Sequence, residues 1–262
     1  MAILGNISDK QYSELKGLRN SNFGLLEKSW KHFKEVKVEE TDALIFGRAF
    51  HTFILEEAKF WELFAVAPEK LDRRTKEGKE TWATLQASGK TILAHDDYQT
   101  LIEMKKALIN HPLAPKILHR SENEGAYTAE INGVECKCKA DLINQGYIFD
   151  IKTCLDASPE GFRKSIGQRK YHRQGAFYSD ILEKNGIEMK GFIFVAIEKV
   201  APFNVGVYML EQDSMDIGRK DYLRLVEKYK YHSENMGAFE GYSPNIEPIS
   251  APNWIFMDEA II

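Results

Sequence analysis

The sequence predicts an α/β fold with a mixed central sheet of about five strands, flanked by helices and preceded by a helical amino-terminal region. Apolar residues recur at helical spacing through residues 1–120, and the pattern then changes to the period-two alternation of strands. A helical segment separates the third predicted strand from the last two, which is typical of a sheet with mixed strand directions. The helices are therefore expected first and the sheet within residues 121–262.

Length and composition are those of an ordinary soluble globular protein, with 262 residues and 44% hydrophobic residues. Lys and Arg number 35 and Asp and Glu 39, so the net charge of −4 does not by itself mark a nucleic-acid-binding protein. The amino terminus lacks a basic segment before an apolar run, and no apolar stretch reaches the roughly 18 residues of a membrane span. Three cysteines, an odd number, fit buried thiols in a reducing compartment. We therefore expect a cytoplasmic protein without a membrane partner.

The first elements are helices. Short helices are expected before residue 41, and a longer buried helix from Asp42 to about residue 64, because apolar residues cover most of its sides. This helix carries His51 one turn after Gly47, whose missing side chain lets another backbone or a substrate come close. A histidine on such a helix is more often a hydrogen-bonded core residue than a ligand. Two further helices are expected near residues 81–89 and 96–110.

The strands begin after Pro115. Residues 127–131 and 134–143 are expected to pair in a hairpin, because Asn132-Gly133 between them is among the best two-residue turn signals. A third strand over residues 147–153 completes a three-stranded meander. The later elements are a polar loop with Pro159, a helix over residues 171–185, strands over residues 190–198 and 203–210, a helix over residues 214–234 and an extended proline-rich tail that includes Trp254.

Three charged side chains converge on the second and third strands of this meander. A two-residue turn at Gln145-Gly146 places Asp141 opposite Asp150, and period-two alternation puts Lys152 on the face of Asp150. Paired carboxylates are unfavourable unless neutralised, and a hard divalent cation neutralises them well, while a nearby amine can orient or activate a metal-bound water. The pattern predicts metal-assisted phosphodiester hydrolysis. A solvated surface charge pattern is the alternative and is the more common case for such a tripeptide, but the apolar strand around Asp150 and Lys152 strengthens the case for a site.

Two basic segments are candidates for contact with DNA. Arg169, Lys170 and Arg173 lie in a run without acidic residues, close after the third strand. Arg73 and Arg74 lie in an exposed loop before the helix near residue 81. Such charge runs are usually solvated faces, and this is the alternative here.

The helix over residues 171–185 carries a second kind of candidate. Gln174 and Tyr178 lie one turn apart on the same face. An amide and a phenol can hydrogen-bond a phosphate or the edge of a nucleotide, although a pair of this kind is common by chance.

Along the chain come Asp141, then Asp150-x-Lys152, then the Gln174-x-x-x-Tyr178 helix. This order of motifs resembles that of the PD-(D/E)-x-K nuclease superfamily, in the branch with a Q-x-x-x-Y motif. The segments that look most like RecE-type exonucleases, also called exodeoxyribonuclease VIII, are GRAFHTFILE, FAVAP, GVECKCKADLI, IFDIKT and YHRQGAFYSD. The similarity runs from about Ser8 to Trp254. It implies one nuclease domain over residues 1–262, with residues 1–120 as a helical lead-in and residues 121–262 as a PD-(D/E)-x-K nuclease-like catalytic core.

The resemblance also implies a role for each matching residue. The implied roles are metal ligand for His51, Asp141 and Asp150, catalytic lysine for Lys152, and the Q-x-x-x-Y pair for Gln174 and Tyr178. The carbonyl of Ile151 is a further expected ligand for one or two hard cations. The expected cofactor is Mg²⁺, and a histidine among the ligands makes Mn²⁺ a workable substitute.

The implied activity is 5′ to 3′ degradation of one strand of linear double-stranded DNA, which leaves a 3′ single strand for a RecT-type annealing protein in recombination. Relatives form rings of three or four subunits, so the resemblance implies a homo-oligomeric ring here. One alternative is a RecB-like or Cas4-like nuclease of other polarity, but an iron-sulfur cluster needs four cysteines and the three here are Cys136, Cys138 and Cys154, so no cluster is expected. The other alternative is a nucleic-acid-binding module with a vestigial site, against which the intact Asp141, Asp150 and Lys152 argue.

Overall fold

The structure is a computed structural model that describes residues 2–5, 7–120, 122–235 and 237–252. The end of the expected extended tail, including Trp254, lies outside the described residues. The helices are α1 (Asp9–Glu14), α2 (Asn20–Lys28), α3 (Trp30–Glu35), α4 (Asp42–Leu55), α5 (Glu57–Leu63), α6 (Lys76–Ala87), α7 (His95–Asn110), α8 (Ala114–Arg120), α9 (Pro159–Gln168), α10 (Tyr171–Lys184) and α11 (Gln212–Glu234). The strands are β1 (Ala2–Gly5), β2 (Phe64–Val66), β3 (Thr91–Leu93), β4 (Glu122–Ile131), β5 (Val134–Asn144), β6 (Tyr147–Cys154), β7 (Gly191–Glu198) and β8 (Val205–Met209).

The main sheet has six strands in the order β1-β4-β5-β6-β7-β8. Neighbours are antiparallel except β6 and β7, which run parallel and are joined by a crossover through α9 and α10. The predicted mixed α/β sheet flanked by helices is thus confirmed. It has one strand more than expected, because β1 pairs with β4. The described residues contain no helix long and apolar enough to cross a membrane.

Both predicted hairpin turns form. Asn132 and Gly133 have φ of 50° and 81°, and Gln145 and Gly146 have φ of 49° and 85°, which is the backbone that a two-residue turn between twisted strands requires. In the second hairpin Leu142 pairs with Phe149, so the register is the one that the turn predicted. This register sets the positions of the charged residues on β5 and β6.

Each face of the main sheet is covered by an apolar cluster. On one face α2, α10 and α11 pack on the strands through Phe23, Phe177, Tyr222, Cys136, Cys138 and Phe194. On the other face α4, α5, α7 and α8 contribute to a cluster that includes Phe50, Phe60, Leu101, Ala114, Leu142, Ile151 and Val195. Since β6 is covered on both faces, a charged residue on this strand is largely removed from water, and it needs a partner.

Some elements differ from the sequence prediction. The single helix expected from Asp42 breaks at Glu56, where the backbone leaves the helical region at φ −140° and ψ 60°. Leu44 on α4 is 52% exposed, so this helix is open on one side and not buried all round. The expected polar loop at Pro159 is the helix α9, which Ser158 caps by accepting a hydrogen bond from the Gly161 N–H. The short parallel pair β2 and β3 was not predicted either.

Lys137 on β5 is a buried cation that ties the amino-terminal helix to the sheet. It is 4% exposed, and its Nζ donates to the carbonyl of Tyr12 at 2.9 Å and to that of Leu15. The same Nζ lies 4.9 Å from the centre of the Tyr12 ring. Burial lowers the pKa of Lys137, and the carbonyls at the end of α1 offset this cost by accepting its hydrogen bonds.

Replacing Lys137 by Met is expected to lower the free energy of unfolding by about 2 kcal/mol, because carbonyl groups at the end of α1 lose their donor. Urea unfolding measures the difference, with Lys10→Met on the exposed side of α1 as the matched control. Equal unfolding midpoints for the two variants would show that Lys137 does not anchor α1.

Candidate active site

Asp150 is the most deeply buried of the charged side chains predicted for the site. Its side chain is 3% exposed, and its Oδ1 accepts a hydrogen bond of 2.7 Å from Nε2 of Gln174 on α10. Its Oδ2 lies 2.5 Å from Nζ of Lys152 in an ion pair and has no further hydrogen-bond donor among the described residues. One oxygen is therefore fixed by an amide, and the other is held by the Lys152 ammonium.

The strand β6 keeps this ion pair away from water. Asp150 pairs in the parallel ladder with Phe194 and Lys152 with Ala196, both of which are fully buried. Burial raises the pKa of Asp150 to about 6; Lys152 opposes this rise and the neighbouring Asp141 adds to it. A carboxylate in this state favours an additional positive charge beside it.

Asp141 lies where β5 and β6 separate. The ladder pairs between the two strands reach Leu142 and Phe149, and beyond them the Oδ2 of Asp141 accepts a hydrogen bond of 2.9 Å from the backbone N–H of Ile151. A side chain thus replaces the next ladder bond. Burial alone would raise the pKa of Asp141, but the charge and contact of His51 and the Ile151 N–H hold it below its usual value.

His51 reaches Asp141 from α4. Its Nδ1 lies 3.4 Å from Asp141 Oδ2, and its side chain is 27% exposed. Burial acts to lower the pKa of His51, but the Asp141 carboxylate outweighs it and raises the pKa. One turn earlier, a side chain at Gly47 would meet no atom within 4 Å, so this face of α4 is open. The predicted approach of His51 to the carboxylates is therefore present, from a half-open helix face.

The side chains fit a divalent cation in their chemistry. Two carboxylates and an imidazole are donors that Mg²⁺ or Mn²⁺ accepts, and among the described residues the buried Oδ2 of Asp150 has no hydrogen-bond donor beyond the Lys152 ammonium. Among the residues that the structure describes, no three His, Cys, Asp or Glu side chains form a ready-made metal cage. The Lys152 ammonium lies against Oδ2 of Asp150. The carbonyl of Ile151 belongs to the same stretch of β6.

The Q-x-x-x-Y helix faces the site, but its contacts differ from those predicted. Gln174 is buried, and its side-chain amide donates a hydrogen bond to Asp150. It therefore orients a carboxylate, whereas a contact with a phosphate or a nucleotide was expected. Tyr178 is partly buried and packs edge-on against Phe192, with ring centres 6.4 Å apart. Burial raises the pKa of Tyr178 well above its usual value. Both side chains therefore support the inner side of the site.

Arg173 is a correction to the sequence prediction. It is only 5% exposed, and its guanidinium pairs with Glu27 of α2 at 3.0 Å and with Asp221 of α11 at 3.2 Å. It also lies over the ring of Phe23, 5.7 Å from its centre. An arginine held by two acids between helices fixes those helices and is not available to a DNA backbone.

The other predicted basic residues are at the surface. Arg169 is exposed, whereas Lys170 is partly exposed and lies 4.0 Å from Glu27. On the loop before α6, Arg73 lies over the Trp82 ring at 4.6 Å, and Arg74 makes paired hydrogen bonds with Asp72. Arg169 is close to the site, because it lies two residues before Tyr171, whose ring contacts Lys152.

Two residues with contacts at or beyond the end of the β6 motif were not predicted. The ring of Tyr171 lies 5.0 Å from Nζ of Lys152. The Glu198 carboxylate, 8% exposed, accepts hydrogen bonds from the backbone N–H groups of Ala157 and Asn204, each at 3.1 Å, and so joins the loops that follow β6 and β7. Their sequence signals are weak: Tyr171 precedes Gln174 by one turn, and Glu198 is a charge that ends an apolar strand.

This fold carries an acid pair and a lysine on the central strands of a mixed sheet. That arrangement is characteristic of the PD-(D/E)-x-K class of nuclease-like domains. The model of a family described as "PDDEXK-like domain of unknown function (DUF3799)" matches residues 11–238, and the chain belongs to this family.

One solved structure supports the same fold. The crystal structure of a protein from Eubacterium rectale, described as a putative exonuclease, is similar with a TM-score of 0.64 and 13% sequence identity, over 98% of each chain. At this identity the match shows a shared fold. None of the curated proteins compared with the chain matches it.

Proposed function

We propose that the protein is a metal-dependent exodeoxyribonuclease of the RecE type, which hydrolyses the phosphodiester bonds of linear double-stranded DNA from 5′ to 3′. The observation that carries the proposal is the state of Asp150: a buried carboxylate, oriented by Gln174, whose second oxygen faces the Lys152 ammonium in an ion pair. Burying a charge in this way is unfavourable for folding, and a catalytic use gives it a reason. Membership of a PDDEXK-like family supports the same chemistry.

In this proposal His51, Asp141, Asp150 and the carbonyl of Ile151 hold Mg²⁺, and Mn²⁺ can substitute for it because of the imidazole. The bound ion would polarise the phosphate and lower the pKa of a bound water. Asp141 is kept ionised by His51 and the Ile151 N–H, so it is ready to accept a cation. No iron-sulfur cluster takes part.

Lys152 supplies positive charge to the reaction. Burial would lower its pKa, but Asp150 and Asp141 outweigh burial and raise it, so the side chain is an ammonium. An ammonium stabilises negative charge that develops on the phosphate, and it can orient the attacking water. Gln174 orients the Asp150 carboxylate through its hydrogen bond to Oδ1.

A basic surface leads to this site. Arg163, Lys164 and Arg169 are exposed on α9 and at its end, and Lys170 follows just before α10. Because Tyr171 next in the chain contacts Lys152, a DNA strand that lies on this surface has its backbone near the carboxylates. Arg73 and Arg74 are a second, separate candidate surface.

Replacing Arg173 by Met is expected to lower the free energy of unfolding by about 2 kcal/mol, because Glu27 and Asp221 lose their shared partner while staying partly accessible to water.

Arg169→Gln is the matched change at the surface and is expected to leave thermal unfolding unchanged. It should weaken binding of duplex DNA at low salt, by about threefold for one phosphate contact. Fluorescence anisotropy with duplex DNA and a thermal melting curve are measured on both variants. An Arg173→Met variant that is as stable as the wild type but binds DNA more weakly would show that Arg173 contacts DNA and does not fix the helices.

The proposed function is tested with duplex DNA labelled at the 5′ or the 3′ end, in linear and closed circular form, with Mg²⁺ or with EDTA. Linear DNA should be degraded only with Mg²⁺, with early loss of the 5′ label and survival of closed circles. Early loss of the 3′ label would favour a RecB-like nuclease of other polarity. Cutting of circles would indicate an endonuclease, and binding without cutting would indicate a vestigial site.

The remaining parts of the proposal concern partners. The 3′ single strands would be passed to an annealing protein of the RecT type in the cytoplasm. A ring of three or four subunits would keep the enzyme on its DNA. Sedimentation of the purified protein tests the ring, since a monomer at micromolar concentration would contradict it.

A further inference from the structure

The first turn of α10 contacts both charged residues of the D-x-K motif. Tyr171 and Gln174 are three positions apart and therefore lie on the same side of the helix. Gln174 donates to Oδ1 of Asp150, and the ring of Tyr171 lies 5.0 Å from Nζ of Lys152. One helix end thus holds the two partners of the buried ion pair separately.

The ammonium group of Lys152 contacts two groups. It lies 2.5 Å from Oδ2 of Asp150, and it also lies over the face of the Tyr171 ring. The side chain is 17% exposed, so both contacts act where water screens them little. An aromatic face attracts a cation more strongly when the pair is removed from water.

The ring of Tyr171 is held in place by packing. It lies 5.7 Å from the ring of Phe194 and 6.1 Å from that of Phe162, and both of these are fully or almost fully buried. Within the described ranges its hydroxyl group makes no hydrogen bond to protein. The contacts of Tyr171 in the fold are therefore made by its ring, which a phenylalanine would reproduce.

We propose that Tyr171 is a positioning residue for Lys152. Its ring keeps the ammonium inside the site whenever Oδ2 of Asp150 is engaged by another group, so that Lys152 stays directed at the phosphate and does not swing into solvent. This inference rests on the proposed function, in which Asp150 is a ligand and Lys152 acts on the phosphate. It adds a residue that the D-x-K and Q-x-x-x-Y motifs do not contain.

The contact itself is tested without any reaction, by NMR of the metal-free protein with ¹³C-labelled lysine. A ring face shifts nearby protons upfield, so the ε-methylene protons of Lys152, assigned with a Lys152→Arg variant, should be shifted upfield in the wild type and in Tyr171→Phe. The shift should vanish in Tyr171→Leu and in Tyr171→Met, the second variant in case the first does not fold. An unshifted signal in the wild type overturns the proposal.

The functional consequence is tested by steady-state kinetics on linear duplex DNA. Tyr171→Phe should keep kcat within about threefold of the wild type, whereas Tyr171→Leu should lower kcat by about tenfold or more with KM nearly unchanged. Tyr171→Trp, which restores an aromatic face, should recover part of the loss. Equal losses in the Phe and Leu variants, or a rise in KM alone, overturn the positioning role. A wild type without nuclease activity would refute the proposed function, while the NMR shift would still decide whether Tyr171 holds Lys152.

Discussion

Asp150→Asn and Lys152→Met are each expected to lower kcat/KM for Mg²⁺-dependent digestion of linear duplex DNA by at least about a thousandfold. Asp150 provides the buried carboxylate and Lys152 the ammonium beside it, 2.5 Å apart. The two groups act as a unit, so combining the changes should cost little more activity than either one alone.

Stability is expected to follow a different pattern from activity. Each single change leaves one member of a buried pair without its counter-charge, which should lower the free energy of unfolding by about 2–4 kcal/mol. The double variant Asp150→Asn, Lys152→Met removes both charges and should unfold within about 1 kcal/mol of the wild type. Its inactivity would then be a loss of chemistry in an intact fold.

The exposed ion pair between Glu103 and Lys106 on α7 is the matched control, since its side chains are 48% and 60% exposed. Changing it to Gln and Met should alter neither activity nor unfolding by a measurable amount. Denaturant unfolding and single-turnover digestion are measured on all variants. A double variant at D-x-K that is folded and still digests DNA in Mg²⁺ would refute the catalytic assignment.

The sequence was a good guide where local signals determine the geometry. Asn132-Gly133 and Gln145-Gly146 determine two turns through positive φ, and the turns determine the register. Asp141 was expected opposite Asp150, and its neighbour pair Leu142 and Phe149 has that register. The separation of the strands beyond this pair was not predictable, because it depends on the side-chain contacts of Asp141.

The sequence was a poor guide to side chains whose burial and partners depend on segments far away in the chain. Arg173 looks like its basic neighbours, but its burial depends on Glu27 and Asp221, which are 146 and 48 positions away. Gln174 was placed on the correct helix face, and only the packing of α10 on β6 shows that its partner is a carboxylate. The helix α9 is a different case, since Ser158-Pro159 is a local helix-start signal that the loop interpretation did not use.

The second large effect is expected at His51. His51→Asn should lower kcat by about a hundredfold at a fixed low Mg²⁺ concentration, because a ligand of the proposed ion is lost. The loss should shrink as the metal concentration is raised, and the ratio of Mn²⁺-supported to Mg²⁺-supported activity should fall, since the imidazole is the donor that favours Mn²⁺. Metal titrations of activity and calorimetric binding of Mn²⁺ measure both effects, with the exposed His119→Asn as the control.

Two roles for His51 give opposite results in this experiment. A core histidine that serves only to hold Asp141 would, when replaced, lower the unfolding temperature and leave the metal concentration for half-maximal activity unchanged. A ligand would shift that concentration, while stability would change by only about 1 kcal/mol for the lost contact at 3.4 Å. The 27% exposure of His51 and the open face of α4 at Gly47 favour the ligand, because a group that only fills the core has no need of access to solvent ions. An unchanged metal requirement together with a clearly lower melting temperature would assign His51 to the core.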